Sequence, residues 1–189
     1  MVGEPLLVQP ARQWGKLMGV AANVLLSQLG WFACVLGAAQ GLPWIGVLAA
    51  TLVIAWHLLR AAKPRRELWL IVSAAVLGAL FETILVQTGL VRFGNGMLLE
   101  GAAPYWMVAL WAIFATTLNV SLRSLRPRLW LAAALGAMGG PAAYYSGARL
   151  GALEFMSAGT ALTVIAAGWA IFVPMLFGAA RHLDGYTRA

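Results

Sequence analysis

The sequence predicts an all-α fold: a polytopic membrane bundle of six transmembrane helices with both termini on the cytoplasmic side. Three observations predict it. Of the 189 residues, 62% are hydrophobic and 10% charged, with mean hydropathy +0.83, whereas a water-soluble domain is nearer half apolar and a quarter charged. Six apolar segments approach the ~20 residues that cross a bilayer as helix. The basic residues fall between these segments. That placement argues against nucleic acid, which needs the formal charge of +7 gathered on one solvated face.

The first segment, 17–39, follows a basic flank of Arg12 and Lys16. It exceeds the ~7–15-residue apolar core of a signal peptide and reads as an uncleaved helix. The second, 42–59, opens at Pro43, where a missing N–H costs nothing. The third, 68–91, follows Lys63-Pro64-Arg65-Arg66, and the fourth, 104–122, opens at Pro104 after Arg92-Phe93-Gly94-Asn95-Gly96. Arg126-Pro127-Arg128 introduces the fifth, 129–148, and the sixth covers 158–178. The organisation is a cytoplasmic segment 1–16, a membrane domain 17–178 and a basic cytoplasmic tail 179–189.

Orientation follows from Lys and Arg. With the N-terminus inside, eleven of the 13 basic residues fall in cytoplasmic segments, leaving only Arg92 and Arg149 outside. Six of the nine tryptophans (Trp14, Trp44, Trp56, Trp69, Trp106, Trp130) lie at segment ends, where indole favours the headgroup region. The expected location is a membrane, with the basic segments on its cytoplasmic side.

In lipid, small and polar residues mark the faces where helices meet. Segment one carries Gly19, Asn23, Ser27, Gly30, Cys34, Gly37 and Gly41 in one stripe, and segment three carries Ala75, Gly78, Glu82 and Gly89. Segment four offers Tyr105, Ala109, Ala112, Thr116 and Asn119; segment five offers Ala133, Gly136, Gly140 and Gly147. The sixth, with Trp169 and Pro174, reads as peripheral. Glu82 therefore points into the bundle, since a carboxylate at a helix centre costs at least ~2.5–3.5 kcal/mol on insertion scales. At 1.5 Å per residue, Glu82, Gln28 and Pro141 lie at similar depths of ~21, ~16 and ~18 Å from the inner boundary. Asn23 and Thr116 form a shallower layer, with His57 and Asn119 nearer the boundary still.

Several features have plain readings. His57, beside Arg60, reads as an interfacial imidazole, since no second ligand stands at metal-binding spacing. Lone Cys34 reads as a buried small residue, and Arg149 with Glu154 as a solvated pair. Gly139-Gly140-Pro141 is either a gating kink or close packing. No nucleotide loop, nucleophile elbow, zinc motif or dinucleotide fingerprint is present, so neither cofactor nor metal is expected.

Asn23…Gln28-Leu29-Gly30-Trp31-Phe32, His57, the acid in segment three and Pro104-Tyr105-Trp106 form a recognisable pattern. So do Leu110-Trp111…Phe114…Thr116-Thr117-Leu118-Asn119 and Gly139-Gly140-Pro141…Tyr144…Gly147-Ala148-Arg149. Over about residues 20–178 the chain resembles the bacterial inner-membrane family catalogued as domain of unknown function 2878. The resemblance implies a small multi-span protein linked to lipid-modifying enzymes of the cyclopropane-fatty-acid-synthase type. The family pattern often has Asp where this chain has Glu82, and His where it has Val120. The second departure weakens any mechanism that needs an imidazole on segment four.

Three function classes follow, in order. The first is a lipid-linked accessory or binding protein with a polar intramembrane site of Asn23, Gln28, His57, Glu82, Thr116 and Asn119. Its partners are membrane lipids and a lipid-modifying enzyme. The second is a proton-coupled carrier in which Glu82 titrates; the third is an intramembrane enzyme with Glu82 as its candidate catalytic group.

Overall fold

The computed structural model describes residues 8–186, with side chains from Leu17 onward, so the expectations on the side chains of Arg12, Trp14, Lys16 and Arg188 lie outside the described residues. Among those residues the chain forms six α-helices: α1 Val8–Ala39, α2 Trp44–Arg60, α3 Pro64–Gln87, α4 Tyr105–Leu118, α5 Leu129–Arg149 and α6 Ala158–His182. Leu17–Ala39 of α1, together with α3 and α6, is long and apolar enough to cross a membrane. α2 and α4 are shorter apolar helices. α5 is less apolar because glycines, tyrosines and Pro141 interrupt its aliphatic run.

The helices follow the apolar segments, with differences at the ends. α4 stops at Leu118 rather than 122: the hydroxyls of Thr116 and Thr117 donate to the carbonyls of Ile113 and Phe114, loosening the last turn. A 3-10 turn, Arg123–Leu125, follows. α6 continues to His182, so residues 179–182 of the expected tail are helical.

Short α4 is the centre of the bundle. It packs against α1, α2, α3 and α6, and of residues 111–119 only Phe114 is not buried. Small residues make these approaches possible. Gly78 of α3 lies against the Trp111 ring of α4, and Gly46 of α2 against Cys34 of α1. Gly136 and Gly140 of α5 abut the backbone and ring of Trp169. α6 is therefore not peripheral: it packs closely along α5 and also touches α3 and α4. By contrast α1 and α5 do not pack along one another. That gap becomes the cleft described below.

The two connections at one end pair with each other. β1, Val91–Phe93, and β2, Leu153–Phe155, form an antiparallel ribbon in the register Val91↔Phe155. Each strand follows a glycine in the left-handed region, Gly89 at φ 68° and Gly151 at φ 88°, which ends the preceding helix. Glu154 stands opposite Arg92 rather than pairing with Arg149. This is the hairpin end. The other end holds the α2–α3 and α4–α5 connections and the last described residues, to Tyr186, and is called the basic end for its Arg and Lys residues.

Candidate functional site

Two buried carboxylates share one stripe of α3. Glu67, Ile71, Ala74, Gly78 and Glu82 recur every three or four residues, and all are buried. Each carboxylate meets a different set of neighbours.

Glu82 lies mid-helix and is fully buried. Its Oε1 accepts from the indole Nε1 of Trp111 on α4, at 2.9 Å, and from the hydroxyl of Tyr144 on α5. The acid thus ties three helices together, and Gly78 one turn away supplies the space that Trp111 occupies. Oε2 has no partner among the described residues. The Trp111 ring in turn stacks on Trp169 of α6 at 4.8 Å between centroids.

Glu67 lies at the basic end, equally buried, and its acceptors are all engaged. Oε2 is 2.8 Å from Nε2 of His57 on α2, and Oε1 accepts from Asn119 Nδ2 and from the backbone N–H of Gly185, both at 2.6 Å. Asn119 Oδ1 accepts from Arg126, which also donates to Asp184 at 2.9 Å. Arg123 donates to the same Asp184 oxygen. The Tyr186 hydroxyl donates to the His57 carbonyl at 2.8 Å. Burial first, then the neighbouring Glu67 charge, pushes the Tyr186 phenol up to about 12. Residues 183–186 therefore form a strap across the ends of α2, α3 and α4. Gly185 sits so close that a Cβ there would lie 2.6 Å from the Glu67 side chain and from the Lys63 carbonyl.

A cleft of about 520 Å³ opens where α1 and α5 separate, with α4 as its floor and α6 behind. It runs along α4 from Trp106 to Thr117, roughly 16 Å at helical rise, and on to Ser121 beyond the helix end. Among the described residues its lining holds no Asp, Glu, Lys, Arg or His. Trp31, Trp111, Phe114, Tyr144 and Trp169 supply aromatic faces. Glu82 lies behind the wall, under Trp111 and Tyr144.

The residues singled out from the sequence divide among these places. Asn23 and Thr116 meet: Asn23 Nδ2 donates to the Thr116 carbonyl at 3.1 Å, and Asn23 Oδ1 accepts from Ser121. His57 and Asn119 join the Glu67 network, so His57 is a sealed core histidine and not a solvated interfacial one. Gln28 is not a partner of Glu82. It is exposed on the cleft wall, without a hydrogen bond among the described residues, because α1 turns this residue toward the gap. Gly140 packs on Trp169, Gly139 faces the cleft with open space beyond it, and Pro141 sits half-buried within continuous α5. Sequence reasoning missed Glu67, Asp184 and Tyr186, and the role of Tyr144. The three-and-four spacing back from Glu82 was the available signal for Glu67. For the strap none existed, since it depends on a contact 118 residues apart in the chain. Among the described residues no three His, Cys, Asp or Glu side chains converge as a metal site.

These features define an apolar six-helix protein with an uncharged interhelical cleft and two interior carboxylate clusters. The chain belongs to the family described as Protein of unknown function (DUF2878), whose model matches residues 20–175. No curated protein and no solved structure matches it.

Proposed function

We propose that the chain is an integral inner-membrane protein with six spans and both termini cytoplasmic. In this reading it binds a membrane lipid in the cleft between α1 and α5, as an accessory to lipid metabolism. The single observation that carries it is the cleft itself: an uncharged, aromatic-lined groove on an apolar bundle, open where two helices part. In a bilayer such a groove faces acyl chains, so a lipid enters sideways without dehydrating a charged wall. Positive-inside asymmetry supports the orientation, and the family resemblance supports a lipid-modifying enzyme as partner.

Glu82 then serves as a tie that fixes the cleft wall. Trp111 and Tyr144 both line the cleft, and both donate to the same carboxylate oxygen. The carrier and enzyme readings need Glu82 to meet solvent or substrate, and it is fully buried behind these two rings.

Gly139→Leu tests the reading. A side chain there enters open space in the cleft, so the variant folds but is plugged. Native mass spectrometry of the purified protein should find bound lipid on the native chain and much less on Gly139→Leu. Equal lipid on both rejects the cleft as a binding site.

A further inference from the structure

Gln28 occupies an unusual position. It lies at the middle of the apolar stretch Leu17–Ala39, is exposed, lines the cleft and makes no hydrogen bond among the described residues. A primary amide in hydrocarbon without a partner costs several kcal/mol at alkane-like polarity, about 1–3 in protein settings. The neighbouring hydroxyls of the cleft wall are already engaged as donors, and the Trp169 indole N–H is a buried donor with no partner among the described residues. Ser27 donates to the Val24 carbonyl, Thr117 to Phe114, Ser121 to Asn23, and Tyr144 to Glu82. Among the described lining residues, Gln28 alone offers an unengaged donor together with an acceptor to whatever enters, with the Trp169 N–H as a further donor.

Resting on the reading of the cleft as a lateral lipid pocket, we infer that its occupant is an uncharged, flat-ringed lipid of the quinone class, whose ring carbonyl accepts from the Gln28 amide. Three features select this class. Among the described residues the lining holds no charged side chain, so a phosphate or carboxylate head at this depth has no counter-ion there, and ionised heads stay at the interface. The unmatched amide lies at mid-span, where an ordinary glycerolipid presents only methylene. A ring head carrying carbonyl oxygens reaches that depth without a charge. Trp31, Trp111, Phe114 and Trp169 surround the same stretch with aromatic faces, which favour a planar ring by offset stacking. The length of the cleft beyond them takes an isoprenoid tail.

The experiment uses the full chain in lipid nanodiscs and decylubiquinone as the probe, read by quenching of tryptophan fluorescence. The native chain should give saturable quenching. Gln28→Leu should bind about tenfold more weakly, the loss of one hydrogen bond in a low-dielectric site. Its thermal midpoint should equal or exceed that of the native chain, because an unpaired amide has been removed. A purely structural Gln28 would instead lower the midpoint and leave binding unmoved, and that result overturns the proposal. Gly139→Leu should abolish saturable quenching. If Gly139→Leu loses co-purifying lipid while decylubiquinone never saturates on the native chain, the quinone assignment falls and the lipid cleft stands. If Gly139→Leu changes neither bound lipid nor quenching, the cleft reading falls, and the quinone assignment with it.

Discussion

Trp111 and Tyr144 are buried donors with one acceptor oxygen between them, and that fixes what Glu82 is worth. Glu82→Leu leaves the Trp111 N–H and the Tyr144 hydroxyl unpaired, at about 1–3 kcal/mol for each orphaned group. Glu82→Gln keeps an oxygen in place and should cost about 1 kcal/mol or less. Thermal unfolding in detergent should therefore show a large drop for Leu and a small one for Gln. Equal drops would mean that the charge, not the acceptor, holds the site. The inward position of Glu82 was legible from Gly78 one turn earlier and from the cost of a carboxylate in lipid. Its partners were not. Depth arithmetic offered Gln28, but rise along an axis carries no information about azimuth, and α1 turns Gln28 to the cleft while α4 and α5 supply the donors.

Helix pairs obey a second rule: what matters at a glycine is what its missing Cβ would meet. A methyl at Gly136 would lie 2.5 Å from the Trp169 carbonyl of α6, and backbone cannot move aside as a side chain does. Gly136→Ala should force α5 from α6 and destabilise by about 1–3 kcal/mol. Gly139→Ala meets nothing within 4 Å and should gain up to ~1 kcal/mol from helix propensity. Opposite shifts of the unfolding midpoint in these two alanine variants, three residues apart, check the α5–α6 seam. The helices themselves were readable because about 20 apolar residues between basic punctuation leave little alternative. The β1–β2 ribbon was not, since three-residue strands 62 residues apart in register have no local period to detect. The peripheral reading of α6 failed for a related reason: its Trp169 and Pro174 suggested lipid exposure, but the small residues that receive Trp169 belong to α5.

At the scale of the molecule the two ends differ in chemistry, and this gives the orientation a test. The basic end is closed by the 183–186 strap, where the Tyr186 phenol is held up at about 12 against an ordinary value near 10. Between those values the unfolded chain loses the Tyr186 proton and the folded chain keeps it. Stability from this group is thus full below pH 10 and lost as pH rises toward 12. Tyr186→Phe should flatten that part of the pH–stability curve. The opposite end presents Gly94 on an exposed loop, while Ser124 is exposed at the basic end. The single native cysteine, Cys34, is buried and leaves the background silent to polar thiol reagents. Among the described residues Arg60, Arg65, Arg66, Arg123, Arg126 and Arg128 lie at one end and only Arg92 and Arg149 at the other, so transfer of the basic end across the bilayer is opposed by each added positive charge. A membrane-impermeant maleimide applied to intact spheroplasts should label Gly94→Cys at once, and Ser124→Cys only after permeabilisation. The reverse pattern would invert the bundle. Labelling of both from one side would mean that the shorter helices α2 and α4 do not cross, and that the cleft opens to water instead of lipid.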